Sequence, residues 1–388
     1  MPVIRLPTAM GHLVPYRLRW PQPFPAAPAG SFNRVAYAAV HVVADPLADV
    51  DPWVEAAIDW DRTIAFREHI WDLGLGVAEA MDTAQRGMGL DWQSSLELIR
   101  RSVAAAKTRG GALLACGAGT DQLAASPRCG VDDVIRAYEE QIEAIEAVGG
   151  RIILMASRAL AACARSADDY ARVYDRILPQ LREPCIIHWL GEMFDPALEG
   201  YFGARDHMAA MDVCVAILEA NTAKVDGIKL SLLSREKEEA LRARLPKGVR
   251  MYTGDDFNYP ELIAGDGGRY SDALLGIFDP IAPAASAALE ALAGDETQRF
   301  FDILEPTVPL SRHIFKSPTR FYKTGVVFMA YLNGHQDHFV MVGGQQSARS
   351  IVHLAELFRL ADAACLLRDP DLAIARMQKV MATHGIEA

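Results

Sequence analysis

Short apolar runs alternate with longer amphipathic segments along most of the chain. Eight runs have the length and composition of buried β-strands, and they span residues 34–43, 76–82, 111–117, 150–157, 184–190, 224–230, 249–256 and 268–278. Between them lie segments whose apolar positions recur with helical spacing, such as residues 91–110 and 131–150. The second of these ends in two glycines, which are common at the C-terminal end of a helix.

This alternation predicts an α/β protein with a (β/α)8 TIM barrel. Eight strands that alternate with helices favour a parallel sheet, and eight such units favour closure of the sheet into a barrel. The runs are largely apolar rather than alternating, as strands are when both of their faces are buried. A doubly wound open sheet is the competing architecture, but no G-x-G-x-x-G motif follows the first run.

The two ends of the chain have a different pattern. Residues 1–33 are rich in proline and lack periodicity, so we interpret them as an N-terminal arm. The last hundred or so residues contain several helical stretches and no convincing strand. We therefore expect three regions: an arm at 1–33, a barrel at 34–283 and a C-terminal helical region at 284–388.

Composition and charge argue against several classes of protein. With 51% apolar and 23% charged residues, the chain has the balance of a globular protein, and it lacks a run of about 18 apolar residues that would predict a membrane span. The net charge of −11, without a Lys/Arg-rich stripe, argues against nucleic-acid binding, although a locally positive pocket could still bind a small anion. The first residues lack the apolar core of a signal peptide, so the cytoplasm is the expected location.

The sixth run carries the most informative residue. In VDGIKLSLL, strand alternation places Ile228 and Leu230 on one face and Gly227, Lys229 and Ser231 on the other. If the apolar pair packs against the helices, Lys229 points into the barrel. Burial disfavours an ammonium ion, so the pKa of Lys229 should fall and its neutral amine could attack a carbonyl carbon. The alternative is a lysine that reaches water or pairs with a carboxylate.

Other strand ends carry polar side chains, and the catalytic residues of barrels gather at the C-terminal ends of strands. His188, at the end of the fifth run, is either a general acid or base or a structural histidine. Arg158 stands alone in an apolar stretch after the fourth run and needs an anionic partner, either a substrate carboxylate or an internal Asp or Glu. Thr83 and Gln85 follow the second run and offer hydrogen bonds to a carboxylate or an oxyanion.

The seventh run ends in TGDDFNYPE, where Gly254, Asp255 and Asp256 are candidate substrate contacts. Adjacent residues of a strand point to opposite faces, so at most one of the two carboxylates enters the pocket. At least one of them is expected to cap the helix that begins near Tyr259.

Metal binding has little support in the sequence. The six cysteines are scattered without a C-x-x-C pair, which predicts reduced core thiols rather than disulfides or a zinc site. In GHQDHF, the residues His335, Asp337 and His338 lie close together and could suggest a metal site. This motif lies in the helical region rather than at strand ends, so we expect a polar loop that could line the pocket mouth, and no metal.

On these residues the chain resembles the dihydrodipicolinate synthase/N-acetylneuraminate lyase family of class I aldolases, and within it a dihydrodipicolinate synthase-like branch. The resemblance has low identity and runs from about residue 34 to residue 333. DGIKLS matches the family's G-I-K strand, YTGDD matches the S-G-D-D that follows, and AGDGGRYSDALLGIF matches the glycine-rich eighth strand. MDTAQRG occupies the place of the family's G-T-T-G-E loop.

The resemblance implies that Lys229 forms a Schiff base without another cofactor, and that Thr83 is the first threonine of the carboxylate-binding loop. It also implies a homo-oligomer. The chain departs from the family in strand four, where MASRALAA lacks the tyrosine that relays protons to and from the carbonyl group. Ser157, Arg158 or His188 would have to replace this tyrosine, or the chemistry differs.

The sequence thus favours a Schiff-base-forming lyase, an aldolase or a dehydratase, for a 2-oxo acid or a sugar-derived keto compound. Lys229 would be the nucleophile, Arg158 and Thr83 would hold the substrate, and His188 would act as acid or base with support from an aspartate of the seventh run. A non-catalytic ligand-binding protein is one alternative. Another is a metal- or acid/base-dependent isomerase or lyase that uses His188, Glu192, His335 and His338.

Overall fold

The architecture is a closed barrel of eight parallel strands. The computed structural model describes residues 2–21, 23–25, 31–110 and 112–387. An N-terminal hairpin comprises β1 (Val3–Pro7) and β2 (Leu13–Arg17). The barrel strands are β3 (Ala36–Ala39), β4 (Gly76–Glu79), β5 (Leu114–Ala118), β6 (Ile152–Met155), β7 (Cys185–Leu190), β8 (Val225–Ser231), β9 (Arg250–Thr253) and β10 (Asp272–Leu275). They pair in sequence order, and β10 closes the sheet against β3, which confirms the predicted TIM barrel and excludes the open sheet.

Each barrel strand coincides with one of the eight apolar runs, and β5 and β8 each extend one residue beyond the end of their run. The run at 111–117 begins at a residue outside the described ones, but its strand β5 is fully described. Burial on both faces explains the lack of alternation, since every residue of β3, β4, β6 and β7 is buried. Inward-facing side chains form a core of their own inside the barrel, which includes Tyr37, Ile153, Tyr252 and Leu274.

Helices cover the outside of the barrel. They are α1 (Trp60–Asp72), α2 (Trp92–Thr108), α3 (Val131–Val148), α4 (Arg158–Cys163), α5 (Ala167–Ile177), α6 (His207–Ala220), α7 (Arg235–Arg242), α8 (Tyr259–Ala264) and α9 (Ala282–Ala293). Aspartates begin several of them: Asp59 accepts a hydrogen bond from the Arg62 N–H, and Asp91 accepts one from the Ser94 N–H. The predicted boundary at 283/284 falls inside α9, which follows β10 as the last helix around the barrel, and the division into three regions stays a prediction.

The remaining helices follow the barrel in the chain. They are α10 (Thr297–Leu304), α11 (Val308–Ile314), α12 (Tyr322–Leu332), α13 (Ile351–Ala363) and α14 (Pro370–Ala382). All 11 residues of α12 are buried. Helix α12 contacts α13, α14 and the short 3-10 turn Asp82–Ala84 that follows β4. This contact brings the C-terminal region onto the face where barrel enzymes carry out their chemistry.

The N-terminal arm contains a regular element that the sequence did not predict. Strands β1 and β2 form an antiparallel hairpin, and the prolines within it had masked its alternation. The hydroxyl of Tyr16 donates a hydrogen bond of 2.7 Å to Asp362 of α13, which anchors the arm to the C-terminal region. Arm residues 1, 22 and 26–30 lie outside the described part of the chain. Among the described residues, no helix combines the length and apolarity needed to cross a bilayer.

Candidate active site

Lys229 lies inside the barrel mouth. It pairs with His188 of β7 and Tyr252 of β9 in the sheet register, and only 7% of its surface is exposed. Among the described residues, its amine has neither a hydrogen-bond acceptor nor a carboxylate at salt-bridge distance; Asp256 and Asp82 act on it only through longer-range attraction. The surrounding cavity of about 10 Å³ is lined by Ala39, Met81, Asp82, Thr83, His188, Leu190, Phe194, Ser231, Asp256, Gly276 and Tyr322.

A glycine lets the barrel close tightly below this lysine. A Cβ atom on Gly227 would lie 2.6 Å from the Cε2 atom of Tyr252, so the tyrosine ring fills the space that a side chain would need. The space next to Gly227 is therefore packed protein. This packing keeps Lys229 out of bulk water on the lower side.

Burial is the dominant electrostatic effect at Lys229. It lowers the pKa of the amine, while the negative charges of Asp256 and Asp82 raise that pKa and partly offset the effect. Burial also raises the pKa of Asp256 to about 7, opposed by a hydrogen bond from the Ile277 N–H and by the nearby lysine. Both groups therefore favour their neutral forms more than they would in water, as a nucleophilic amine requires.

The two adjacent aspartates of the seventh run have separate surroundings. Asp255 accepts hydrogen bonds from the N–H groups of Phe257 and Asn258, which fixes the loop before α8. Asp256 lines the Lys229 cavity. One carboxylate thus enters the pocket and the other holds the loop. Both residues follow the end of β9, so strand alternation does not separate them, and Asn258 rather than either aspartate stands at the N-cap of α8.

His188 presents an unpaired nitrogen inside the barrel. Its Nε2 atom lies 3.2 Å from the hydroxyl of Ser231, while its Nδ1 atom is buried without a hydrogen-bond partner in the described part of the chain. Burial lowers the pKa of the imidazole well below its usual value, and the charge of Lys229 lowers it further. The ring is therefore neutral near pH 7, and a buried unpaired nitrogen is a place where a ligand group can bind.

A tyrosine from the C-terminal region completes the cavity. Tyr322 begins α12, and its hydroxyl lies 2.8 Å from the hydroxyl of Thr83. The absence of a side chain at Gly276 permits this approach, since a Cβ atom there would lie 3.3 Å from the Cε2 atom of the Tyr322 ring. Burial raises the pKa of the phenol well above its usual value, so Tyr322 stays protonated and can donate a hydrogen bond.

The sequence did not identify Tyr322 because it is far from every strand end. One local signal was present: Lys323, a charged residue in an otherwise apolar helix, is only 3% exposed. Its amine donates a hydrogen bond to the Arg320 carbonyl group, and burial lowers its pKa to about 8. A buried lysine in such a helix could have indicated that this helix faces a functional pocket.

A larger cavity of about 180 Å³ adjoins the Lys229 cavity, and both are lined by Asp82, His188 and Leu190. Arg158 lies on the wall of this larger cavity and forms an ion pair with Asp195. The anionic partner of this arginine is therefore a carboxylate of the chain itself. Asp82 lines both cavities. The sequence pattern had indicated only the nearby residues Thr83 and Gln85 as candidate contacts.

The other predicted contact residues lie outside the Lys229 cavity. Gln85 is buried, and its amide donates to the Val342 carbonyl group. Ser157 caps α4 by accepting the Leu160 N–H. Gly254 lies beside β8, where a Cβ atom would be 2.8 Å from the Cε atom of Lys229, so its role is to permit close packing.

The four residues of the alternative metal or acid/base site do not converge. Glu192 bonds to His207 at 3.0 Å outside the cavity, and His335 lies against His69 of α1. His338 accepts the Val340 N–H within its own loop. Within the described residues, no group of three or more His, Cys, Asp or Glu side chains is arranged to hold a metal ion.

Comparison with known proteins identifies a family and a shared fold. A family model described as "Protein of unknown function (DUF993)" matches residues 4–386. No curated protein matches the sequence.

Several solved structures share the fold. Dihydrodipicolinate synthase from Oceanobacillus iheyensis superposes with a TM-score of 0.58 at 16% identity, over 84% of this chain and 96% of that chain. The chloride-inhibited dihydrodipicolinate synthase from Acinetobacter baumannii, complexed with pyruvate, gives 0.61 at 14% identity, over 86% and 99%. A prophage protein of the dihydrodipicolinic acid synthase family from E. coli K12, also with pyruvate, gives 0.65 at 12% identity, over 86% and 99%. At these identities the likeness shows that the chain has the barrel fold of that family.

Proposed function

This chain belongs to the DUF993 family, and we propose that it is a Schiff-base-forming lyase that acts on a 2-oxo acid or a sugar-derived keto compound. One observation carries the proposal: a buried lysine amine faces a cavity at the C-terminal end of the barrel without a carboxylate in contact with it. Barrel enzymes place their catalytic groups at this end of the sheet. An amine that is kept partly neutral by burial is the form that attacks carbonyl carbons.

The first step is addition of the Lys229 amine to the substrate's keto carbon. The carbonyl oxygen takes a proton from the Tyr322 hydroxyl, and Thr83, which is hydrogen-bonded to that hydroxyl, orients it. Loss of water from the resulting carbinolamine leaves an iminium ion on Lys229. The covalent bond replaces a cofactor, because the iminium ion itself withdraws electrons from the neighbouring carbon.

Cleavage of the bond between the third and fourth carbons then requires a base near a hydroxyl group on the fourth carbon of the substrate. The unpaired Nδ1 atom of the neutral His188 ring can take a proton from a substrate hydroxyl. The carbon–carbon bond breaks, and its electrons move into the iminium group to give an enamine. The first carbonyl product leaves, and the protonated His188 ring returns its proton to the enamine carbon. Hydrolysis of the resulting iminium ion returns a proton to the Tyr322 oxygen, releases the second product and restores the amine of Lys229.

The cavities limit the size and the route of the substrate. The space at Lys229 is about 10 Å³, close to the minimum for one water molecule, while the adjoining cavity of about 180 Å³ has room for a small metabolite. A substrate therefore binds first in the larger cavity and reaches the amine when side chains between the two cavities move. Asp82 and Leu190 line both cavities and stand along this route.

Borohydride trapping tests the proposal directly. Pyruvate, which accompanies two of the structures with this fold, is the first probe, followed by longer 2-oxo acids and keto sugar acids. Reduction of a Schiff base should add a stable, substrate-dependent mass to Lys229 and block trypsin there, so that the adduct appears in the peptide Val225–Arg235. Failure to trap any of these probes on Lys229 would contradict the proposal.

The pH dependence of trapping tests the charge environment of the amine. Neutral Lys229 is required, so trapping should slow as the pH falls through the pKa of this lysine. The negative charge of Asp256 raises that pKa. We therefore expect Asp256→Asn to lower the pKa of Lys229. The acidic limb of the rate–pH profile would then move to lower pH.

The matched control is Asp255→Asn, because that carboxylate bonds to the loop at Phe257 and Asn258 instead of facing Lys229. It should leave the acidic limb in place. An unchanged limb in Asp256→Asn, or a limb that moves to higher pH, would show that this carboxylate does not set the charge of the amine.

A further inference from the structure

Asp82 lines both the Lys229 cavity and the larger cavity beside it. It begins the 3-10 turn Asp82–Ala84 after β4 and is partly exposed. Neither of its carboxylate oxygens has a hydrogen bond or an ion pair in the described part of the chain, and neither is closed off by packing. The Lys229 cavity of about 10 Å³ has room for about one water molecule, so the groups on its wall lie close to the amine. Asp82 is therefore an accessible, unpaired carboxylate beside Lys229.

The two arginines of the larger cavity are paired with other carboxylates. Arg86 forms an ion pair with Asp121 at 2.6 Å, and Arg158 forms one with Asp195 through its Nε atom. Within the described residues, neither arginine forms an ion pair with Asp82. The wall of this cavity thus contains three aspartates and two arginines, and the charge that is left over is negative.

A carboxylate next to the keto group of a substrate would lack a cationic partner. Such a group is bonded to the keto carbon at about 1.5 Å, so it must lie in the Lys229 cavity once that carbon is attached to the amine. Of the described residues that line this cavity, Lys229 is the one cation, while Asp82 and Asp256 are carboxyl groups.

The hydroxyl groups of the Lys229 cavity do not replace that missing cation. Thr83, which the family resemblance assigns to carboxylate binding, is 1% exposed, and its hydroxyl bonds to Tyr322 at 2.8 Å. With a neutral group beside the keto carbon, the positive iminium ion faces the negative Asp82. A substrate carboxylate would add a second negative charge that no buried cation balances, which disfavours its binding.

We propose that the substrate carries a hydroxyl group, and not a carboxylate, on the carbon next to its keto group, an inference that rests on the Schiff-base function proposed above. The substrate class is thus a hydroxy ketone such as a keto sugar, rather than a 2-oxo acid. The hydroxyl donates to the Asp82 carboxylate, which makes Asp82 the specificity-determining residue. The terminal nitrogens of Arg158 form no hydrogen bond among the described residues and can donate to hydroxyl groups farther along the substrate.

Two matched probes test this preference. Dihydroxyacetone and hydroxypyruvate are three-carbon compounds with a central keto group, and they differ in one terminal group, which is a hydroxymethyl group in the first and a carboxylate in the second. Each is titrated against the full chain with cyanoborohydride, which reduces an iminium ion to a stable amine. Mass spectrometry then gives the concentration for half-maximal labelling of Lys229. We expect this concentration to be about tenfold lower, or less still, for dihydroxyacetone.

Asp82→Asn tests the residue that sets the preference. The change removes the charge and keeps the size of the side chain, and circular dichroism verifies folding. We expect the ratio of the two half-maximal concentrations to shift by about tenfold or more in favour of hydroxypyruvate. The ratio is the useful quantity because any change in the pKa of Lys229 affects both probes alike. The control Asp49→Asn removes an exposed carboxylate and should leave the ratio unchanged.

The outcomes distinguish this inference from the function on which it rests. If hydroxypyruvate labels Lys229 at the same or a lower concentration than dihydroxyacetone, or if Asp82→Asn leaves the ratio unchanged, the inference is overturned and the Schiff-base function stands. Labelling by pyruvate but not by dihydroxyacetone has the same meaning. If no carbonyl probe labels Lys229, the Schiff-base function itself fails, and the inference fails with it.

Discussion

Replacing Lys229 by methionine is expected to abolish both the borohydride adduct and turnover of any substrate that the trapping experiment identifies. Methionine fills a similar volume without an amine, so the barrel should fold while no iminium ion can form. Loss of a covalent nucleophile typically lowers kcat by about 10⁴-fold or more. The measurement is kcat for the purified variant, together with circular dichroism to verify folding.

Lys323 provides the matched control. It is also buried and its pKa is also lowered, to about 8, but its amine bonds to the Arg320 carbonyl group rather than facing the Lys229 cavity. Lys323→Met should retain a trapped adduct at Lys229. An adduct that disappears in Lys323→Met but persists in Lys229→Met would show that Lys323, and not Lys229, is the nucleophile.

Tyr322→Phe is expected to produce the second largest effect. The change removes the hydroxyl that lies 2.8 Å from the Thr83 hydroxyl. It leaves the aromatic ring, which stacks on Phe315 with 4.4 Å between the ring centroids. Proton transfer by a positioned side chain contributes about 10²–10⁴-fold to a rate, so kcat should fall by this factor while KM changes little. Pre-steady-state trapping should show that formation of the Schiff base is the slowed step.

Tyr331→Phe is the control from the same helix. Its ring stacks on Phe339, and its hydroxyl has no hydrogen-bond partner among the described residues. This variant should keep full activity. If Tyr322→Phe forms the Schiff base as fast as the unaltered chain, the phenol does not deliver the proton, and a role in packing would remain for the ring.

The Tyr322–Thr83 contact bears on how this barrel departs from the family that it resembles. The sequence lacks the tyrosine expected in strand four, and Ser157, Arg158 and His188 were the candidates to replace it. Ser157 caps a helix and Arg158 pairs with Asp195, and neither residue lines the Lys229 cavity. A hydroxyl from α12 occupies the cavity instead, which makes the C-terminal helices part of the proposed active site.

Local pattern alone determined the barrel and the direction of its lysine. Eight apolar runs specify eight doubly buried strands because burial on both faces removes the need for polar residues, and this property is visible within each run. The inward position of Lys229 follows from the two-residue period of a strand and the apolar residues on either side of it.

Only the tertiary structure decided what surrounds that lysine. The partner of Arg158 could have been a substrate or an internal carboxylate, and only the folded chain shows that it is Asp195. Tyr322 reaches Thr83 because the C-terminal helices fold back over the barrel mouth, a contact between segments far apart in the chain. Periodicity reports which face of an element is buried, but it carries no information about which distant element covers that face.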